Sequence, residues 1–165
     1  MSLDVFRFSS LATLLLVCLV SCGGGDDGGG DDGDEGGSAS QECMDALDHS
    51  DLEWIQEEIF SPSCANFTAC HSGDANLALG LNLEAGNSEG NLVGLPAQAE
   101  TAEGLNLVEP GDPDSSYLLV MLGQFGEDDP RIPRDAGGEP DTMPQNSPLL
   151  CQEKRDAIER WITDL

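Results

Sequence analysis

Apolar residues recur at helical spacing in three separate segments of the chain. The first segment follows residues 50–53, whose Ser-Asp-Leu-Glu sequence matches a capping box with the serine as N-cap, and Pro62 is expected to end this helix. A second, short helix is predicted over Ser116–Leu122, begun by Pro113 and its polar neighbours, and a third over Gln152–Leu165. The apolar positions of the first helix are Leu52, Ile55, Ile59 and Phe60.

The stretches between these helices show no strong periodicity. Gly, Pro and Asn dominate residues 72–112 and again 123–148. Two long irregular stretches are unusual in so small a domain, and chains that contain them commonly wrap a cofactor or depend on covalent cross-links. The fold class predicted is therefore mainly α, a small helical domain with long irregular loops.

The amino terminus carries a targeting signal. The apolar run Leu11–Val20 has about half the length of a membrane span, which fits the hydrophobic region of a signal peptide. Residues 19–22 read Leu-Val-Ser-Cys and resemble the lipobox of bacterial lipoproteins, which implies cleavage before Cys22 and acylation of that cysteine. Residues 1–21 are then the signal peptide, and Cys18 leaves with it. The alternative is an ordinary secretory signal with an incidental cysteine.

A polar spacer separates the predicted lipid anchor from the rest of the chain. Residues 23–40 consist almost entirely of Gly, Asp, Glu, Ser and Ala. Such a segment cannot bury surface, so residues 22–40 are predicted to be the lipidated cysteine and a disordered linker, which reaches on the order of 24 Å as a flexible coil. Residues 41–165 form the folded module. The predicted location is the bacterial cell envelope, and Gly23 favours the outer membrane, with the module facing the periplasm or the cell surface.

Composition narrows the classes of function. The chain has 32 Asp and Glu against 6 Lys and Arg, a formal net charge of −26, and this opposes binding to nucleic acid. Aromatic residues make up only 5% of the chain, so the core is thin for the length. No Ser/His/Asp arrangement or carboxylate pair stands out, and an enzymatic role is not predicted.

After processing, four cysteines remain in the module: Cys43, Cys64, Cys70 and Cys151. Cysteines outside the cytosol usually pair, and four allow three pairings that the spacing alone does not rank. Cys64 and Cys70 lie close together and are followed at once by His71, whereas the other two are far apart.

The segment 59–73, which contains Cys64, Cys70 and His71, resembles the haem-attachment region of c-type cytochromes, specifically the cytochrome c-like domains of myxobacterial-type envelope lipoproteins. The resemblance extends over roughly residues 50–165. Its other motifs are the Gly-Leu-rich stretch 79–94, the proline-rich turn and helix at 108–119, the methionine loop at 142–149 and the terminal helix around 158–162.

The resemblance implies a haem c module for electron transfer, docking on a basic redox partner. It assigns the thioether bonds to Cys64 and Cys70, the nitrogen ligand of the iron to His71 and the sulfur ligand to Met143. Ile132-Pro133 is a competing match to the methionine loop.

The spacing of the two attachment cysteines departs from the family pattern. Five residues separate Cys64 from Cys70, where the usual motif has two. The alternative is therefore a haem-free lipoprotein of the same fold, with a binding or structural role and a Cys64–Cys70 disulfide.

In the fold that the resemblance implies, the first and last helices pack together. A Cys43–Cys151 bridge is then geometrically plausible. It would close a loop of 108 residues, with an upper estimate of about 4–5 kcal/mol in the chain-entropy treatment.

Overall fold

A computed structural model describes residues 40–67, 70–73, 79–145 and 147–165 of the chain. The predicted signal peptide, the lipidation site Cys22 and the linker up to residue 39 lie outside the described residues. Over the ranges that are described, none of the helices combines the length and the apolar character needed to cross a bilayer.

Helices supply the regular structure of the described residues, which contain isolated β-bridges but no strand. The mainly α fold class is confirmed at this level. The α-helices are α1 (Gln41–Asp45), α2 (Leu52–Ile55), α3 (Ser88–Leu92), α4 (Tyr117–Met121) and α5 (Gln152–Asp164). Short 3₁₀ turns lie at Ala46–Asp48, Glu100–Ala102 and Pro113–Ser115.

Helix α2 begins one residue later than the capping box predicts. Its N-cap is Asp51, not Ser50, because the Asp51 carboxylate accepts a hydrogen bond of 2.8 Å from the backbone N–H of Trp54. A carboxylate and a hydroxyl are both good N-cap acceptors, so residue type alone could not separate these two neighbours.

The prediction that Pro62 ends this helix is wrong. From Gln56 the backbone continues as a π-helix through to Cys64, with Pro62 inside it. In an α-helix the proline ring clashes with the carbonyl four residues earlier, but a π-helix pairs residues five apart, as the 2.8 Å bond from Ala65 N–H to the Phe60 carbonyl shows. The wider turn accommodates the ring and carries Cys64 on the end of the helix.

The other two predicted helices are present with slightly shorter bounds. Helix α4 lacks the first and last residues of the predicted Ser116–Leu122 segment, and α5 ends at Asp164. Asp112 caps the 3₁₀ turn before α4 through a bond from Ser115 N–H to its side chain. Helices α1 and α3 were not predicted, because each has only five residues and no full apolar repeat.

The two ends of the described module are joined. Helix α5 packs against α1, the 3₁₀ turn that follows it and the start of α2. The Cys43–Cys151 disulfide links them covalently, with Cα atoms 6.2 Å apart, so the predicted bridge is confirmed. The Arg160 guanidinium adds hydrogen bonds of 2.7 and 2.8 Å to the carbonyls of Ala46 and His49.

The buried apolar side chains form two clusters. The main core joins α2, α4 and α5 with residues from the loops; its members are Ile55, Ile59, Phe60, Leu83, Leu92, Val108, Leu119, Leu122, Ile158, Trp161 and Ile162. The minor core lies on the other side of α4 and contains Ala102, Tyr117, Val120 and Ile132. Because Tyr117 and Val120 of α4 belong to the minor core and Leu119 belongs to the main core, this short helix separates the two clusters.

Candidate functional site

The backbone after the π-helix Gln56–Cys64 folds back so that His71 lies beside the end of that helix. The N–H of His71 donates to the Cys64 carbonyl at 2.9 Å, and the N–H of Cys70 donates to the Phe67 carbonyl at 2.9 Å. These two bonds close a compact loop. The structure thus brings His71 next to Cys64 although a widened motif separates them in sequence.

The imidazole of His71 is half-buried and held by a backbone carbonyl. Its Nδ1 lies 3.3 Å from the Leu81 carbonyl oxygen. A carbonyl only accepts, so Nδ1 carries the proton and the lone pair of the neutral ring is on Nε2. Burial lowers the pKa of His71, and the bond to Leu81 opposes this only in part, so the ring is neutral at pH 7.

This arrangement is the one that metal-binding histidines require. A ligating imidazole coordinates through one nitrogen while the other donates to a carbonyl or carboxylate, which fixes the tautomer and the orientation of the ring. The chemistry of this donor fits a haem iron, whose protein ligand is commonly a neutral histidine nitrogen.

An apolar cleft of about 370 Å³ has Leu81 in its wall, the residue whose carbonyl contacts His71, but His71 is not itself among the lining residues. The volume falls within the range of small-molecule sites, on the order of 300–1,000 Å³. Leu79 and Leu95 are exposed at the cleft by 64% and 41%, which leaves apolar surface open to water. The lining residues are Leu79, Gly80, Leu81, Asn91, Leu95, Pro96, Gln98, Ala99, Leu107, Tyr117 and Met121.

Met143 is connected to the same cleft from the opposite part of the sequence. Its backbone N–H donates to the Met121 carbonyl at 2.8 Å, and Met121 lines the cleft. The Met143 side chain is partly buried against the main core. Ile132, at the competing match to the methionine loop, is buried in the minor core and is accounted for by packing alone. Among the described residues, no hydrogen bond joins Met143 to His71.

The two predicted attachment cysteines are in different states. Cys64 is a free thiol, packed against the main core, and burial raises its pKa to about 12. Cys70 is disulfide-bonded. Since Cys64 is free, the Cys64–Cys70 bridge of the haem-free alternative is not formed in this structure.

The bridged cysteines do not offer a metal site. The sulfurs of Cys43 and Cys151 and a carboxylate oxygen of Glu153 lie within 4.8 Å of one another. Both sulfurs are consumed in the disulfide, so neither is the thiolate that a metal ion would bind.

The second histidine of the chain is not connected to the cleft. The ring of His49 stacks on Trp54 with centroids 4.5 Å apart, and its Nδ1 lies 3.2 Å from a carboxylate oxygen of Asp51. The ring is partly covered by the indole, and its acidic partner is Asp51.

The cleft itself was not predicted. Its walls come from segments far apart in sequence, such as Leu79–Leu81 and Tyr117–Met121, so no local sequence pattern predicts the cleft. Tyr117 is nearly buried there, with its hydroxyl 2.8 Å from the Thr101 hydroxyl. Met121 is both packed against the minor core and part of the cleft wall.

The contact between the backbone carbonyl of Leu81 and His71 was not predicted from the sequence either. Every residue carries such a carbonyl, so only the tertiary structure shows which one accepts from His71.

Comparison with known proteins does not assign the chain to a family: it matches no protein-family model, no curated protein and no solved structure.

Proposed function

We propose that this chain is a lipid-anchored haem-binding module that carries electrons in the bacterial envelope. The observation that carries the proposal is the geometry of His71: a half-buried imidazole whose Nδ1 donates to the Leu81 carbonyl, which leaves the lone pair on Nε2, while Leu81 itself lies in the wall of an apolar cleft. The resemblance of residues 50–165 to cytochrome c-like domains is the second line of support.

Each residue has a defined task in this proposal. His71 would hold the iron through Nε2, and Met143 would supply a thioether sulfur as the second ligand. Leu81, Leu107 and Tyr117 provide apolar and aromatic surface in the wall of the cleft. When bound, the haem supplies a one-electron iron couple, whose potential a methionine ligand raises.

Covalent attachment at Cys64 and Cys70 needs both residues as thiols, each adding across one vinyl group of the porphyrin. Cys64 is already a neutral thiol, but the disulfide of Cys70 must first be reduced by thiol–disulfide exchange with a dithiol reductant, which is itself oxidised to a disulfide. Three extra residues must then bulge out, because five residues separate the two cysteines where the usual motif has two. Hydrogen bonds from the His71 N–H to the Cys64 carbonyl and from the Cys70 N–H to the Phe67 carbonyl bring the two ends of the motif together, which supports such a bulge.

The sequence supports the cellular setting of the proposal. Acylation of Cys22 would hold the module at the membrane, and the acidic linker would let it move away from the surface by roughly 24 Å. A net charge of −26 favours a basic redox partner and increases the rate of encounter at low ionic strength.

The two histidines of the chain provide a matched test. We expect the full chain, produced together with a haem-attachment system, to show a Soret band that survives acid-acetone extraction. His71→Ala should abolish or strongly shift this absorbance, whereas His49→Ala should leave it unchanged. A colourless wild-type protein from cells that mature a control cytochrome would overturn the proposal.

A second candidate, the haem-free lipoprotein cross-linked by disulfides, is favoured by the Cys43–Cys151 bridge. Once Cys18 is removed and Cys22 is acylated, Cys64 is the remaining cysteine of the module that Cys70 can pair with. Mass spectrometry of a non-reducing digest separates the two candidates. Haem attachment adds the mass of a porphyrin to the peptide with Cys64 and Cys70, and a disulfide removes two hydrogens.

A further inference from the structure

The wall of the apolar cleft carries no charge. None of the eleven described residues that line it is an Asp, Glu, Lys, Arg or His, although charged residues make up 23% of the chain and its net charge is −26. A charged ligand would lose its hydration in this cleft without gaining a partner of opposite charge. The acidic character of the rest of the chain opposes anionic ligands further. The wall therefore favours an uncharged ligand.

The cleft has the volume of a small-molecule site and offers apolar surface that a ligand would cover. Its volume of about 370 Å³ is more than twice the roughly 150 Å³ that suffices for benzene, so it accommodates a larger aromatic molecule. Leu79 and Leu95 line the cleft and remain exposed to water. Tyr117 and Met121, which also line it, carry an aromatic ring and a polarisable thioether, and both groups interact favourably with aromatic rings.

Two amide side chains supply polar groups in this otherwise apolar wall. The Asn91 amide nitrogen donates to the Asn82 carbonyl at 2.9 Å, which leaves Oδ1 of Asn91 as an acceptor. Gln98 is exposed, and its side chain has no hydrogen-bond partner among the described residues. A few polar groups in an apolar wall are typical of small-molecule sites, where they fix the orientation of the ligand. An N–H or O–H group on a ligand is the complement of such an amide oxygen.

We propose that this cleft is a binding site for an uncharged, largely apolar small molecule that has an aromatic ring system and a hydrogen-bond donor. The inference goes beyond the proposed function, because it concerns a ligand of the cleft wall, and His71 is not part of that wall. Its test uses the haem-free chain, so the result does not depend on haem attachment.

Two fluorescent probes that differ by one charged group test the selectivity of the cleft. N-phenyl-1-naphthylamine is neutral and has one N–H, and 8-anilinonaphthalene-1-sulfonate is the same molecule with a sulfonate added. We expect the haem-free full chain to bind the neutral probe about tenfold more tightly than the sulfonate, because the wall has no partner for the anion. Each titration is corrected with a protein-free blank in the same detergent. Equal affinities, or no binding of the neutral probe, would overturn the proposal.

Two leucines with similar exposure provide matched variants. Leu95 lines the cleft and is 41% exposed, whereas Leu47 lies outside it, in the 3₁₀ turn Ala46–Asp48, and is 48% exposed. Leu95→Asp should lower the affinity for the neutral probe about tenfold, because it places a carboxylate in the apolar wall, and Leu47→Asp should change it less than about twofold. Leu79→Asp is a second wall variant and should act like Leu95→Asp. Equal effects of all three substitutions would show that the probe binds elsewhere.

Sedimentation of the wild type and Leu95→Asp tests whether a second copy of the chain occupies the cleft instead. We expect both proteins to be monomers, and a wild-type dimer that Leu95→Asp dissociates would overturn the proposal. Haemin titration of the same samples separates this inference from the proposed function. A chain that binds the neutral probe but no haemin supports the ligand site and overturns the haem module, and the opposite result overturns the ligand site alone.

Discussion

The two halves of the described module are stabilised in different ways. The helical half consists of residues 40–64 and 151–165, whose helices share the main core and the Cys43–Cys151 disulfide. The loop half, residues 93–145, has one α-helix, single β-bridges and the four-residue minor core. It depends more on individual polar contacts, such as the bonds from Arg131 to Asp129.

This difference explains where the cleft forms. Close-packed helices leave few voids, because their side chains interdigitate. Loops connected by single hydrogen bonds leave space between them, and the cleft lies where the loop half meets the segment that follows His71. The helical half thus provides the rigid support, and the loop half provides most of the open wall.

Removal of the disulfide should produce the largest effect on stability. We expect Cys43→Ala/Cys151→Ala to lower the free energy of unfolding by up to about 4–5 kcal/mol, because the bridge constrains a loop of 108 residues in the unfolded chain. Urea denaturation of the wild type and the double variant measures this. Each single variant should lose as much as the double variant, since either one breaks the bridge. Equal midpoints for all four proteins would show that the cross-link does not support the helical half.

Truncation of one buried isoleucine in each half compares the two cores directly. Ile158 lies in the main core and Ile132 in the minor core, and both are almost fully buried. We expect Ile158→Ala to cost about 4 kcal/mol and Ile132→Ala about 2 kcal/mol, because loops can close around a cavity more easily than packed helices. Thermal or urea unfolding gives both values. A larger loss at Ile132 would reverse the proposed order of rigidity.

Loss of the N-cap of α2 should have the smallest effect. We expect Asp51→Ala to cost about 1 kcal/mol at pH 7, because it leaves the Trp54 N–H without its acceptor. Hydrogen bonds from Trp54 and then His49 lower the pKa of Asp51 from its ordinary value of 3.8. The carboxylate therefore stabilises the fold above the unfolded-state pKa, and this contribution is lost as the pH falls through the lower folded-state pKa.

Unfolding measured from pH 7 down to pH 2 checks the sign of this prediction. The difference between the wild type and Asp51→Ala should be constant above about pH 5 and shrink in acid. Asp51→Asn retains an acceptor without the titrating charge and serves as the control, with a smaller loss at pH 7. A difference that grows on acidification would contradict the assignment of Asp51 as the cap.

Several features of the fold were predictable because they depend on neighbours in sequence. The periodicity of α5 and the polar start of α4 gave their positions to within a residue. The continuation of α2 past Pro62 was not predictable, because an α-helix excludes an internal proline and only the π-helical geometry admits it. The choice of Asp51 over Ser50 as N-cap was not predictable either, because it depends on the backbone conformation at the start of α2.

The candidate site likewise has some features that the sequence predicts and others that only the tertiary structure decides. The sequence by itself determined the strongly acidic character of the chain and marked His71 and Met143 as candidate ligands, because residue types and short spacings are local information. The tertiary structure decided that Cys64 is buried and free, that the Leu81 carbonyl accepts from the His71 ring and that an apolar cleft adjoins it. These outcomes depend on backbone groups common to all residues and on contacts between distant segments, which no local pattern in the chain encodes.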